Sequence, residues 1–350
     1  MMTDRENWLR AIEFRNPEWI PCSVMLLPIA WLAHREKLDE VLLRHPLMFP
    51  DHKPGGKRNY DEFSDYYTAG KTTTDNWGCT WRVEVNGAEG QVVGHPLADW
   101  DALKTFEPPD PRFKHERGDH DWDKIAQDMA DKKSKGKLAM AYGERLFDRL
   151  YALRGFENLM IDIATDDPRL TELIEILTDF EVRLVDLCLE AGADAIAFHT
   201  DIGTQRALMI SPEKFRKHIK PMFNTIFQRV RKAGKPVYLS SDGYLLEIVD
   251  DLIECGVSTH DPQIRANTLE GIKRAYKGKM CINLDLDRQM FAFCTPQDIR
   301  DQIRDAVEAL DSPEGGFMMF AAVCDGDTSL ENIEAMCTGM EDYCLKGKKG

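Results

Sequence analysis

From residue 138 onward the chain alternates short apolar segments with helical ones, and this alternation restricts the fold more than any other feature. Leu138–Tyr142, Ala195–His199, Pro236–Leu239, Val257–Thr259, Cys281–Leu286 and Phe317–Val323 read as strands. Between them, Leu170, Leu173, Ile174, Leu177, Leu184, Val185 and Cys188 recur at helical spacing after Pro168, and Gly192 stops the run. Phe215, Ile219, Met222, Phe223, Ile226 and Val230 do the same between Pro212 and Gly234. Strands separated by crossover helices run parallel. No Gly-rich phosphate fingerprint follows any strand, which favours a (β/α)8 TIM barrel over an open doubly wound sheet. No internal repeat is evident.

The first third is less regular. Residues 3–20 read as an amphipathic lead-in helix with Trp8, Ile12 and Phe14 apolar, closed by Pro17, and Pro21–Leu26 as the first barrel strand. Residues 50–70 are loop-like, residues 77–94 alternate around Asn86-Gly87 as a hairpin does, and residues 111–137 suit a surface helix between loops. The expectation is one domain over residues 1–350, a barrel with an N-terminal extension and a β-hairpin insertion at about 50–137. A chain of 350 residues with 43% apolar content is ample for its core.

A net charge of −15 leaves no basic face for nucleic acid. No run of about 18 apolar residues offers a membrane span, and the N-terminus lacks the basic start and apolar core of a signal peptide, so a cytoplasmic location is expected. Nine cysteines without a CxxC pair argue against a disulfide framework, and most should be buried.

In a parallel barrel the residues just past each strand converge on one rim, where the chemistry sits. Here those residues are Tyr142, Glu144 and Arg145; His199, Asp201 and Gln205; Ser240 and Asp242; His260, Asp261 and Gln263; Asp285, Asp287 and Arg288; and Cys324 and Asp325. So many polar groups suit acid/base or metal chemistry. Each also has an ordinary structural role open to it: a turn at Asp242-Gly243 or His260-Asp261-Pro262, a cap at Asp201, a buried thiol at Cys324, a satisfied histidine at His199. Glu84, Asp99 and His120 form another acidic/His set outside the barrel.

Particular motifs carry a family resemblance. Trp77-Gly, His95-Pro-Leu, Pro108-Pro-Asp-Pro111, Leu153 to Asn158, Glu190 to Asp194, Asp201 to Gln205, Ile210 to Glu213, Lys220-Pro221, Ser241-Asp-Gly243, Glu254 to Val257 and Leu330 to Met336 together resemble the uroporphyrinogen decarboxylase superfamily over nearly the whole chain. Within it the chain resembles the branch of cobamide-dependent methyltransferases, including those that begin O-demethylation of methoxylated aromatics in anaerobic bacteria. The decarboxylases carry an arginine-rich signature near the first strand; here Pro21 to Pro28 has none before Arg35, and a polycarboxylate needs bidentate cations. Thiol-methylating relatives bind zinc through a His-x-Cys pair and a Cys on the last strand. The corresponding positions here read Ser240-Ser-Asp242 and Cys324, so a metal would need a mixture drawn from Asp242, Cys324, His199 and Asp201.

The resemblance implies transfer of a methyl group from a small methylated donor, a methoxylated aromatic compound, to the Co(I) corrinoid of a partner protein. His199, Asp201 and Tyr142 are then the catalytic candidates. Glu144, Arg145, Gln205, His260 and Gln263 are expected to bind substrate, and Asp242 and Cys324 to hold a metal such as zinc. The alternative is a decarboxylase-like lyase on a carboxylated substrate; a third is a non-catalytic cobamide or tetrapyrrole binder.

Overall fold

The computed structural model describes residues 2–53 and 58–348, so the loop expected over 50–70 lies in part, at 54–57, outside the described residues. The strands are β1 (Cys22–Leu26), β2 (Thr72–Thr74), β3 (Thr80–Arg82), β4 (Gln91–Gly94), β5 (Lys114–His115), β6 (Gly118–Asp119), β7 (Met140–Tyr142), β8 (Ala195–His199), β9 (Val237–Ser240), β10 (Thr259–His260), β11 (Cys281–Asp285) and β12 (Phe317–Val323). Seven of them form one curled, wholly parallel sheet in the order β1-β12-β11-β10-β9-β8-β7. The barrel architecture is the one the alternation indicates. Its strand count differs: among the described residues no eighth strand pairs between β1 and β7, which are the two edges.

The chain between those edges has gone elsewhere. A buried parallel strand needs a nearly continuous apolar run, whereas this stretch alternates polar and apolar residues around turn signals. It forms an antiparallel sheet β2-β3-β4 and a small hairpin β5-β6. The expected single hairpin gains a third strand because Asp75 folds the chain back, its carboxylate accepting from the N–H groups of Trp77 (3.0 Å) and Cys79 (2.8 Å). The surface helix expected after 111 is Trp122–Ser134. The lead-in helix is shorter than expected, Asp4–Ile12, because Phe14 and Asn16 adopt left-handed backbone at φ 53° and 51°.

Outside the sheet, the helix Pro168–Glu190 buries the apolar face read from its spacing, from Leu170 to Cys188. The helix Lys220–Lys232 buries Met222, Phe223, Ile226, Phe227 and Val230. Alternation along β8 settles which side chains face the lumen. The Phe198 ring lies 5.0 Å from that of Phe227, so Phe198 points outward and Ala195, Ala197 and His199 point inward. Registers Ala197↔Tyr142, Ala197↔Tyr238 and Tyr238↔Thr259 carry the same assignment to neighbouring strands. The floor is closed by Ala11, Ile12, Cys281 and Met318, with Trp8 packed against them. Above it, the inward Tyr238 hydroxyl bonds to Asp261 and Asn283, and Tyr142 at the end of β7 stays exposed. No described helix is long and apolar enough to cross a membrane. All nine cysteines are free and six are buried; Cys324 is exposed.

Candidate active site

The loops after β7, β8 and β9 are each held by a side chain of a neighbouring loop. Thr200 Oγ1 accepts from the N–H of Phe147 (2.8 Å), at the start of the helix Phe147–Arg154. Asp148, on that helix, accepts from the N–H of Asp201 (2.9 Å), and Asp201 accepts in turn from the N–H of Asp242 (2.9 Å). Gln263 Oε1 accepts from Gly243 N–H (2.9 Å), and Asp261 from Ser241 N–H (3.0 Å). The loops after β8 and β9 touch backbone to backbone: a Cβ on Gly243, at φ +88°, would stand 2.4 Å from the carbonyl carbon of Gly203. Asp201 and Asp242 therefore occupy fixed positions. Their strand-end sequences supply both the acceptor side chains and the glycines.

Arg288 reaches across this rim. Its guanidinium donates to Asp242 (2.5 Å), lies 3.2 Å from Asp285, and approaches the Cys324 sulfur at 3.8 Å. Burial pushes Asp285 up to about 7 although Arg288 opposes the shift. Burial, with Asp201 close by, pushes Asp148 up to about 7. Asp201 is raised by burial and by Asp242, and Cys324 by burial against the pull of Arg288.

On the other side of the rim, Tyr142, Glu144, Arg145 and His199 line a cavity of about 690 Å³. The Tyr142 and His199 rings are stacked with centroids 5.8 Å apart. His199 is shifted below the ordinary histidine range by burial and by Arg145, so its imidazole is neutral at pH 7. Glu144 accepts from Trp77 Nε1 (2.8 Å) and from Arg149 (3.0 Å), and its own N–H donates to the buried Glu181 (2.6 Å). Arg145 pairs not with Glu144 but with Glu89 (2.6 Å) and Glu116 (3.2 Å).

The expected residues thus fall into two adjoining groups. Tyr142, His199, Glu144 and Arg145 share the cavity, while Asp201, Asp242, Gln263 and Cys324 lie along the Arg288 side. Gln205 reaches only Gln263, at 3.4 Å. His260 belongs to neither group, a correction to its expected substrate-binding role. Thr259 faces the lumen, so its neighbour His260 turns outward, fully buried, and stacks on Tyr276, whose hydroxyl is 3.0 Å from its Nδ1. Nor do Glu84, Asp99 and His120 meet: Glu84 pairs with Arg82, Asp99 caps Trp100–Thr105, and His120 alone lines the cavity. Glu116 and Trp122, from the insertion, also line it and were not among the expected residues.

The donor set does not fit zinc. Asp242 and Cys324 both face the Arg288 cation, and no described group of three His, Cys, Asp or Glu could hold a metal ion. Thiolate and imidazole are the ligands zinc favours, and the Cys324 thiol and Asp242 meet the same guanidinium.

No curated protein matches the chain. Among solved structures, a methyltransferase from Methanosarcina mazei superposes with a TM-score of 0.65 over 98% of this chain and 99% of that one, at 17% identity. A putative vitamin-B12 independent methionine synthase from Listeria monocytogenes overlaps with a TM-score of 0.43 over 62% of this chain and 67% of that one, at 12% identity. The family model described as uroporphyrinogen decarboxylase (URO-D) matches residues 147–343, the stretch that supplies β8 to β12 and the Asp148–Asp201–Asp242 chain of hydrogen bonds. The chain belongs to the uroporphyrinogen decarboxylase family.

Proposed function

We propose that the protein is a methyltransferase that removes the methyl group of a small methoxylated aromatic compound and delivers it to the Co(I) corrinoid of a partner protein. The observation that carries this reading is the cavity itself. It is large enough for a single ring, walled largely by apolar side chains, and presents two ring-borne hydrogen-bond donors, Tyr142 and His199, at its rim. The full-length structural likeness to a methyltransferase supports the same class.

In such a transfer the O–CH3 bond breaks as the methyl carbon passes to the nucleophile. Both bonding electrons remain on the aryl oxygen, which then takes a proton from solvent. The negative charge growing on that oxygen limits the rate. A neutral imidazole and a phenol can each donate a hydrogen bond to it, and one such donor is worth roughly 3 kcal/mol at a developing oxyanion. The hydrogen-bond chain from Asp148 through Asp201 to Asp242 would hold the loops beside them. The exposure of Tyr142 beside the cavity supports approach of a corrinoid domain from that side.

Incubation with a reduced corrinoid protein and a panel of methoxyarenes tests the reading through the absorbance of the methylated corrinoid. Transfer from wild type, reduced by His199→Ala, supports it. If no methoxyarene donates a methyl group, it fails.

A further inference from the structure

The charges around the cavity are unusually well accounted for. Arg145 is shared between Glu89 (2.6 Å) and Glu116 (3.2 Å), and Arg117 between the same two carboxylates at 2.6 and 3.6 Å. Arg149, with no exposed side-chain surface, contacts Asp75 (2.8 Å), Glu116 (2.8 Å) and Glu144 (3.0 Å). Three guanidiniums thus serve four carboxylates. Asp128 and Lys132, both exposed and one turn apart on the helix Trp122–Ser134, also line the cavity, and Lys132 has no ion pair among the described residues. Burial holds His120 near 4 and His199 below its ordinary range, so neither supplies a positive charge at neutral pH.

A carboxylate entering the buried part of this space would lose water and find only guanidiniums already paired, and a solvated lysine such as Lys132 repays little of that loss. Displacing Glu89 from Arg145 would not help, because Glu89 would become the unpaired anion. The remaining walls, among them Trp122, Ile125, Met129, Met140, Phe180 and Leu184, favour an apolar ring. We propose that the cavity selects uncharged methoxylated rings and rejects their carboxylated analogues, with the Glu89–Arg145–Glu116 bridge as the selecting element. The inference rests on the cavity being the donor site of the proposed methyl transfer.

Binding and transfer are measured separately. Calorimetry on the purified chain compares para-methoxytoluene with para-methoxybenzoate, which differ by a methyl group against a carboxylate of similar size, and with the cationic para-methoxybenzylamine. The uncharged ring should bind roughly tenfold or more tightly than the benzoate at neutral pH. Glu89→Gln, which leaves Arg145 partly unpaired, should narrow that ratio by about threefold or more. Benzoate binding as tightly as the toluene overturns the inference, as does benzylamine binding no better than benzoate, the absence of binding by any of the three, or an unchanged ratio in a folded Glu89→Gln protein. Methyl transfer is scored independently from the corrinoid spectrum. Selective binding of the uncharged ring with no transfer sinks the methyltransferase reading while the charge selection stands.

Discussion

The Arg288 guanidinium lies 2.5 Å from an Asp242 carboxylate oxygen, between the two side chains, Asp242 and Cys324, that the family resemblance implies as metal ligands. A guanidinium and a divalent cation compete for the same negative charge, and here the guanidinium is covalently tethered. Purified protein should therefore hold well under one equivalent of zinc by elemental analysis. Dialysis against a chelator should leave its melting temperature unchanged. Arg288→Gln removes the competing charge and should raise zinc uptake; stoichiometric tight zinc in the wild type would contradict the assignment.

The same contact sets the reactivity of Cys324. Burial raises its thiol above the ordinary range, and the Arg288 contact partly opposes that shift. Loss of the guanidinium leaves burial unopposed, so the midpoint of a pH–alkylation profile should move upward in Arg288→Gln. Iodoacetamide labelling followed by peptide mass spectrometry reads this at Cys324, the exposed cysteine. A downward move would show that Arg288 does not act on the sulfur.

How far the sequence foretold this arrangement depends on burial and on alternation. β8 ends at His199 as read, and the buried stripe of Pro168–Glu190 is the one its spacing indicates, because a 3.6-residue period and a run of core residues are local signals. Tyr142, His199, Asp201 and Asp242 could be nominated because a parallel barrel brings strand ends together whatever the side chains. His260 could not be placed, since a two-residue strand gives no pattern from which to tell inward from outward. Glu116 and Trp122 were hidden for another reason. They sit in a polar insertion whose hairpin has strands of two residues, and a charged stretch of that kind resembles a solvated face until Arg145 and Arg149 are seen to meet it.

Glu181 makes stability depend on pH. It is fully buried, one oxygen accepts from Glu144 N–H at 2.6 Å, and the other has no partner. Burial, with Glu144 nearby, pushes its carboxyl up to about 8, and burial does the same to Asp261. The folded chain thus keeps protons that the unfolded chain has released above about 4.3. The stability they contribute is full below that pH and lost as pH rises through 8. The buried neutral histidines act in the opposite sense: His260, held near 4, adds stability as pH rises toward about 6.5 and nothing beyond. The carboxyl contribution therefore shows between about 6.5 and 8, where the urea midpoint should fall. Glu181→Gln keeps an acceptor for Glu144 N–H and should flatten that fall, most visibly at pH 8. An unchanged slope would mean that Glu181 is ionised in the folded protein.

His199 gives a pH dependence of activity with its own sign. Burial and Arg145 lower its pKa, so the neutral imidazole that can hydrogen-bond a leaving oxygen persists until pH drops below the ordinary histidine value. Transfer rate should accordingly be flat around neutrality and change only on the acid side. His199→Gln, which retains an N–H donor, should lose less than His199→Ala, whose rate should drop about 100-fold if the side chain donates to the developing oxyanion. Equal losses in the two variants would point to a packing role against Tyr142.

Gly243 offers the sharpest test of how the rim is positioned. At φ +88° it occupies a region that disfavours a side chain, and its Cβ position is 2.4 Å from the Gly203 carbonyl carbon and 2.7 Å from the Thr204 oxygen. Gly243→Ala must push the loop after β9 away from the loop after β8. That shift strains the bond from Asp242 N–H to Asp201 and moves the Asp242 carboxylate off Arg288. A cost of roughly 2–4 kcal/mol follows from the backbone strain and overpacking together. Ala at Gly234, which also has positive φ (+71°) but nothing within 4 Å, pays only the backbone part, about 1 kcal/mol. Urea denaturation of the two variants should separate these contributions. Equal destabilisation would show that the close approach of the two loops is not what fixes Asp201 and Asp242.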